Sequence, residues 1–128
     1  LHLNPKPRLL IVEDEPIIRE MCLRILAPRG FEIHLASNGL VGMEKLSQNN
    51  FDLCLIDIKM PLMSGKELYN WLVENNSKTA EHVIFTTGDT LSESVLAYIN
   101  QSGRPFLVKP FTSAELVEAV RKNLPNNW

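Results

Sequence analysis

Asp57 stands at the end of an apolar run, Leu53-Cys54-Leu55-Ile56, and three other such runs also lead into polar residues. Leu9-Leu10-Ile11-Val12 leads into Glu13-Asp14, Val83-Ile84-Phe85-Thr86 into Thr87, and Phe106-Leu107-Val108 into Lys109. Three carboxylates, a hydroxyl and an ammonium are the groups that hold a divalent cation and take up a phosphoryl group. The acids repel one another unless a cation neutralises them. Oxygen-only ligation with retained water suits Mg²⁺, with Mn²⁺ as the alternative. A carboxylate on a rigid strand end beside such a cation can attack phosphorus and form an acyl phosphate. In-line transfer then needs the equatorial oxygens neutralised. The cation, Lys109 and the Thr87 hydroxyl would each supply a contact, and the backbone N–H groups of Lys59 and Gly88 would supply more. One acid pair after a strand would read as solvated loop acids. A third acid, a Thr and a Lys in equivalent positions change that reading.

These residues meet only if the strands share an orientation. Helix-like segments separate the apolar runs, which predicts parallel strands. The first strand is expected over 8–13. Pro16 suits the first turn of a helix carrying Ile17, Ile18, Met21, Cys22, Ile25 and Leu26 on its apolar face. Phe31 to Leu35 alternates apolar and polar residues, as a half-exposed edge strand does, whereas 52–57 reads as a central strand. Helices carrying Leu40, Met43 and Leu46, then Leu68, Leu72 and Val73, flank that central run. Strand 82–87 precedes a fourth helix with Leu91, Val95, Leu96 and Ile99. A short fifth strand at 106–108 precedes a last helix with Leu116, Val117, Val120 and Leu124. Five β–α units predict an α/β three-layer sandwich, flavodoxin-like, (βα)5, with a parallel five-stranded sheet of order 2-1-3-4-5. Its functional edge lies at the C-terminal ends of the strands.

The chain has 128 residues, 45% hydrophobic and 22% charged, with a formal net charge of −2. That fits one domain: a lead-in at 1–7, the folded unit at 8–124 and a tail at 125–128. No basic stripe points to direct nucleic-acid binding. No apolar stretch reaches the roughly 20 residues of a membrane span, so no membrane insertion is expected. Cys22 and Cys54 read as buried thiols rather than a disulfide or metal pair. His2, His34 and His82 lack metal-ligand spacing. Trp71 reads as partial core and Trp128 as part of the tail.

With these motifs in hand, the chain resembles a receiver domain of two-component response regulators from about Arg8 to Leu124. The resemblance rests on Glu13-Asp14, Asp57 within Asp-Ile-Lys-Met-Pro, Gly65, Thr87-Gly88 and Lys109-Pro110-Phe111, in order. It implies Asp57 as phosphoryl acceptor, with Thr87 and Lys109 contacting the phosphoryl group. It also implies Mg²⁺ held by Glu13, Asp14, Asp57 and the backbone carbonyl of Lys59, and a cis Lys109-Pro110 bond. The family's switch pair matches Thr87 and Phe106, although Phe106 reads equally well as plain core packing. Lys59 and Asp89 are expected to flank the pocket mouth and modulate phosphoryl lifetime through an ion pair.

The implied function is that of a signalling domain rather than an enzyme, since it catalyses only its own phosphorylation and dephosphorylation. Its expected partners are a histidine kinase or histidine phosphotransfer domain and a downstream effector or attached domain, in the cytoplasm. The stretch from Gly103 to Phe111 resembles receivers attached to hybrid sensor histidine kinases. A partner would be recognised around the first helix, at Ile17, Ile18 and Met21, or, for a solitary regulator's effector, on the face of the fourth helix, fifth strand and fifth helix. A flavodoxin-type cofactor binder would need a Ser/Thr/Gly-rich phosphate loop where this chain has Glu13-Asp14-Glu15-Pro16. A phosphatase of the haloacid dehalogenase type would carry Asp-x-Asp there.

Overall fold

Three of the five strands are buried at nearly every position, and those three form the centre of the sheet. The computed structural model describes residues 5–88 and 92–125. Strands β1 (Arg8–Val12), β2 (Glu32–Ala36), β3 (Leu53–Asp57), β4 (Val83–Thr87) and β5 (Phe106–Val108) pair in parallel in the order β2-β1-β3-β4-β5. β3 and β4 are buried at every position, whereas β2 and β5 are largely half-exposed. The alternating pattern of residues 31–35 therefore does mark an edge strand.

Helices α1 (Pro16–Leu26), α2 (Gly39–Gln48), α3 (Gly65–Asn75), α4 (Ser77–Ala80) and α5 (Glu93–Ser102) lie between successive strands, α6 (Ser113–Asn123) follows β5, and a 3₁₀ turn at Ala27–Arg29 extends α1. Successive strand side chains point to opposite faces, so the sheet divides the core in two. Leu9, Ile11, Leu53, Leu55 and Ile84 pack with Cys22 and Leu26 of α1 and Leu116 and Val120 of α6. Leu10, Val12, Cys54, Ile56 and Phe85 pack with Leu46 of α2, Leu68 and Leu72 of α3 and Ile99 of α5. The two cysteines thus lie on opposite faces, both free, and burial pushes each thiol up to about 12. Trp71 is partly buried against the second cluster, as expected.

Four differences from the sequence expectation have local causes. Helix α4 is an addition: Asn76 accepts from the Thr79 N–H at 3.2 Å, and a single turn buries Thr79 and Ala80. Four residues are too few for hydrophobic periodicity to register. Ile17 leaves the core face of α1 and is 84% exposed. The helix buries Cys22 and Leu26 instead, so Ile17 lies at the outer margin of the apolar stripe. Leu40, Val73 and Leu96 are likewise exposed on α2, α3 and α5. Strand β2 starts at Glu32, with Phe31 buried just before it. Leu91, Asp89 and Trp128 lie outside the described residues.

Candidate functional site

Backbone pairing brings the polar residues to one edge. Val12 is level with Ile56, Asp57 with Thr86, and Thr87 with Val108. The ladder continues past the strands: Glu13 N–H donates to Ala36 at 3.0 Å, Ile58 N–H to Thr86 at 2.9 Å and Lys109 N–H to Thr87 at 2.8 Å. Glu13, Asp57, Thr87 and Lys109 therefore stand on rigid backbone, and all four are buried. Asp14 is half-buried.

Side chains then converge on Lys109. Its Nζ lies 2.8 Å from Glu13 Oε1, 3.0 Å from Asp57 Oδ2 and 3.3 Å from Glu15 Oε1. Carboxylate oxygens of Glu13, Asp14, Glu15 and Asp57 all lie within 4.8 Å of one another. Burial pushes the Glu13 carboxyl up to about 7, against the opposing hydrogen bond from Lys109. Asp57 is raised for the same reason, again with Lys109 opposing. Burial alone would lower Lys109, but its hydrogen bonds to Glu13 and Asp57 hold the ammonium above its usual range. Four acids against one cation leave negative charge uncompensated, and the donors are all oxygen. That set fits a hard divalent cation such as Mg²⁺.

Two loops shape the pocket. A Cβ on Gly65 would lie 2.2 Å from the Asp57 carbonyl oxygen, so only glycine lets α3 start this close to β3. The Gly65 N–H donates to Ile58 at 2.9 Å, and a capping box between Ser64 and Glu67 fixes the helix start. The Lys109-Pro110 bond is cis, as the resemblance implied.

The 128-residue chain matches the response regulator receiver domain model over residues 9–121. The chain belongs to this family. A probable transcriptional regulator of Pyropia yezoensis is 31% identical over 113 residues, covering 88% of this chain and 51% of that protein. The response regulator TrrA of Thermotoga maritima, solved with Mg²⁺-BeF, is 33% identical with a TM-score of 0.80, covering 92% of this chain and 99% of that one. The receiver domain of a signal transduction histidine kinase from Syntrophus aciditrophicus is 28% identical with a TM-score of 0.82, covering 92% and 89%. The receiver domain spans from about a fifth to about half the length of the first curated relatives it matches.

Of the residues singled out from sequence, Glu13, Asp14, Asp57 and Lys109 come together, and Thr87 ends the strand beside Asp57. Lys59 is exposed two residues past Asp57. Phe106 is half-buried and packs against the α2–α3–α5 core, level with Phe85 on β4. Asp89 lies outside the described residues. Two residues escaped the sequence reading. Glu15 reaches Lys109, and its signal was the third consecutive acid after β1. Arg19 of α1 donates to the Glu13 carbonyl at 2.8 Å and the Asp14 carbonyl at 3.4 Å, bracing the acidic loop. An Arg in the first turns of a helix carries no sequence signal of that role. Among the described residues, no helix is long and apolar enough to cross a membrane.

Proposed function

We propose that this receiver domain takes a phosphoryl group from a phosphohistidine onto Asp57. The carrying observation is the buried Asp57 carboxylate, tied to Lys109 at 3.0 Å beside three more acids. In the transfer the histidine N–P bond breaks, an Asp57 O–P bond forms, and the imidazole leaves with the bonding electrons. Glu13, Asp14, Asp57 and the Lys59 carbonyl would hold Mg²⁺, which neutralises phosphoryl oxygens when bound. Lys109 holds Asp57 in place and offers an ammonium to a phosphoryl oxygen, and Thr87 offers its hydroxyl to another. The strand ends fix Asp57 and Lys109 before the donor arrives, so little reorganisation is needed in the transition state.

Movement of Thr87 toward the phosphoryl group, followed by inward rotation of Phe106, is the proposed output switch. Phe106 has no hydroxyl, so its part is steric. The donor is a histidine on a kinase or phosphotransfer domain, which docks over α1 and the loop before α6. A groove of about 880 Å³ lies there, lined by Ile17, Met21, Ile25 and Phe111 among others. The effector is a separate protein or an attached domain, and a cytoplasmic setting follows from that partnership. Lys59 modulates phosphoryl lifetime by pairing with Asp89. An exposed pair is worth ~0–1 kcal/mol, so Lys59→Ala shortens the lifetime modestly. A lifetime that is unchanged or longer in that variant would sink this role.

Intact-mass analysis after incubation with acetyl phosphate and Mg²⁺ tests the central reading. One added phosphoryl mass is expected, absent in Asp57→Asn and on omitting Mg²⁺. A mass gain that persists in Asp57→Asn would overturn the assignment.

A further inference from the structure

Resting on this acceptor-site reading, the loading of Asp57 depends on what Lys109 holds before a phosphoryl group arrives. An ammonium has three N–H groups. Lys109 Nζ is surrounded by three carboxylates, at 2.8, 3.0 and 3.3 Å, and donates hydrogen bonds to Asp57 and Glu15. A phosphoryl oxygen competes with them for the ammonium, and the carboxylate that yields most easily gives way. The Glu13 and Asp57 side chains are only 3% and 5% exposed, and an unpaired charge in such a place is costly. Glu15 is 59% exposed and can turn to water.

The backbone around Glu15 points the same way. It is the N-cap residue of α1, where a side-chain oxygen ordinarily accepts from the first turn. Glu15 makes no such bond, whereas α2, α3, α5 and α6 are all capped by the side chains of Asn38, Ser64, Ser92 and Thr112. Its N–H donates to Glu13 Oε2 at 3.2 Å, and its carbonyl accepts from the Arg19 N–H at 3.0 Å. A fixed backbone thus holds out a free-ended carboxylate that crosses 94 residues of sequence to meet Lys109.

We propose that Glu15 is the displaceable one of Lys109's resting-state partners and gives way to the phosphoryl group, so that it acts as a brake on loading of Asp57. It is a positioning residue. It competes for the Lys109 donor, and its charge opposes an incoming dianion.

The test compares wild type, Glu15→Gln and Glu20→Gln at saturating Mg²⁺. Beryllofluoride affinity is measured by calorimetry, the acetyl phosphate loading rate by intact mass, and Mg²⁺ affinity separately. Glu20 sits on the same helix and pairs with Arg24 rather than Lys109, so it controls for net charge. Glu15→Gln is expected to bind beryllofluoride more tightly and load faster, by up to ~5-fold for an exposed pair. Glu20→Gln should match wild type. A gain is a readout that a merely structural Glu15 would not produce. The proposal falls if Glu15→Gln weakens only Mg²⁺ binding, or if Glu20→Gln gives the same gain. A wild-type chain that binds no beryllofluoride and takes up no phosphoryl group would overturn the acceptor reading as well.

Discussion

At the N-terminal edge of the sheet, Arg8 is met by partners on several sides. Its Nε meets Glu32 Oε2 at 2.8 Å, its Nη1 meets the Asn50 carbonyl at 3.0 Å, and its backbone N–H meets Asp52 Oδ2 at 2.7 Å. The guanidinium also lies 5.3 Å from the centre of the Phe51 ring. At the C-terminal edge, one ammonium sits among four clustered acids and meets three of them. The acids respond in opposite directions. Glu32 is held below the usual carboxylate range by His34 and then Arg8, whereas burial pushes Glu13 up to about 7. A carboxylate supplied with donors belongs to the fold. Buried carboxylates in excess over cations retain an unmet demand for positive charge, and that demand makes a site.

The largest expected effect separates the two edges completely. Asp57→Asn abolishes phosphoryl uptake in the acetyl phosphate assay, while Glu32→Gln leaves it at the wild-type level. Next comes Lys109→Met, which strands buried acids without their cation. Losing one partner of a buried pair costs about 3 kcal/mol, so its metal-free thermal midpoint at pH 8 should drop well below wild type. Added Mg²⁺ should restore part of that loss. No drop would mean that the acidic edge is balanced without Lys109.

A pH series sharpens the contrast. Folding raises the Glu13 carboxyl from its ordinary 4.5 to about 7. Between those values the folded chain binds more protons than the unfolded chain, so stability falls as pH rises. Metal-free wild type should therefore lose stability relative to Glu13→Gln from pH 5 to pH 8 in denaturant titrations. Parallel curves would remove the electrostatic account of the site. Gly65→Ala should cost about 2 kcal/mol, because a Cβ 2.2 Å from the Asp57 carbonyl forces the start of α3 away. The smallest effect belongs to Glu32→Gln, whose exposed pairing with Arg8 is screened by water, so its midpoint in the same titrations should stay close to wild type.

The sequence made legible whatever depends on local pattern. Apolar runs at 9–12, 53–56 and 83–86 announced buried strands, and the polar residue after each marked the functional edge. Alternation in 31–35 marked an edge strand. Ile17 misled because it fits the helical period of α1, yet only the packing of α1 on the sheet decides where the stripe ends. Helix α4 was too short to leave a periodic trace.

Residue types and spacing by themselves determined the β–α alternation, the strand order and four of the acidic and basic groups at the site. The physical reason is that burial on one face or two imposes a period that a linear sequence can display. Tertiary structure alone decided that Lys109 meets Glu15 as well as Glu13 and Asp57, that Arg19 braces the acidic loop, and that Arg8 closes the opposite edge with Asn50 and Asp52. Those contacts join residues whose separation in sequence bears no relation to their distance in space. Only the register of the packed strands, and the angle at which α1 lies against them, could bring them within reach.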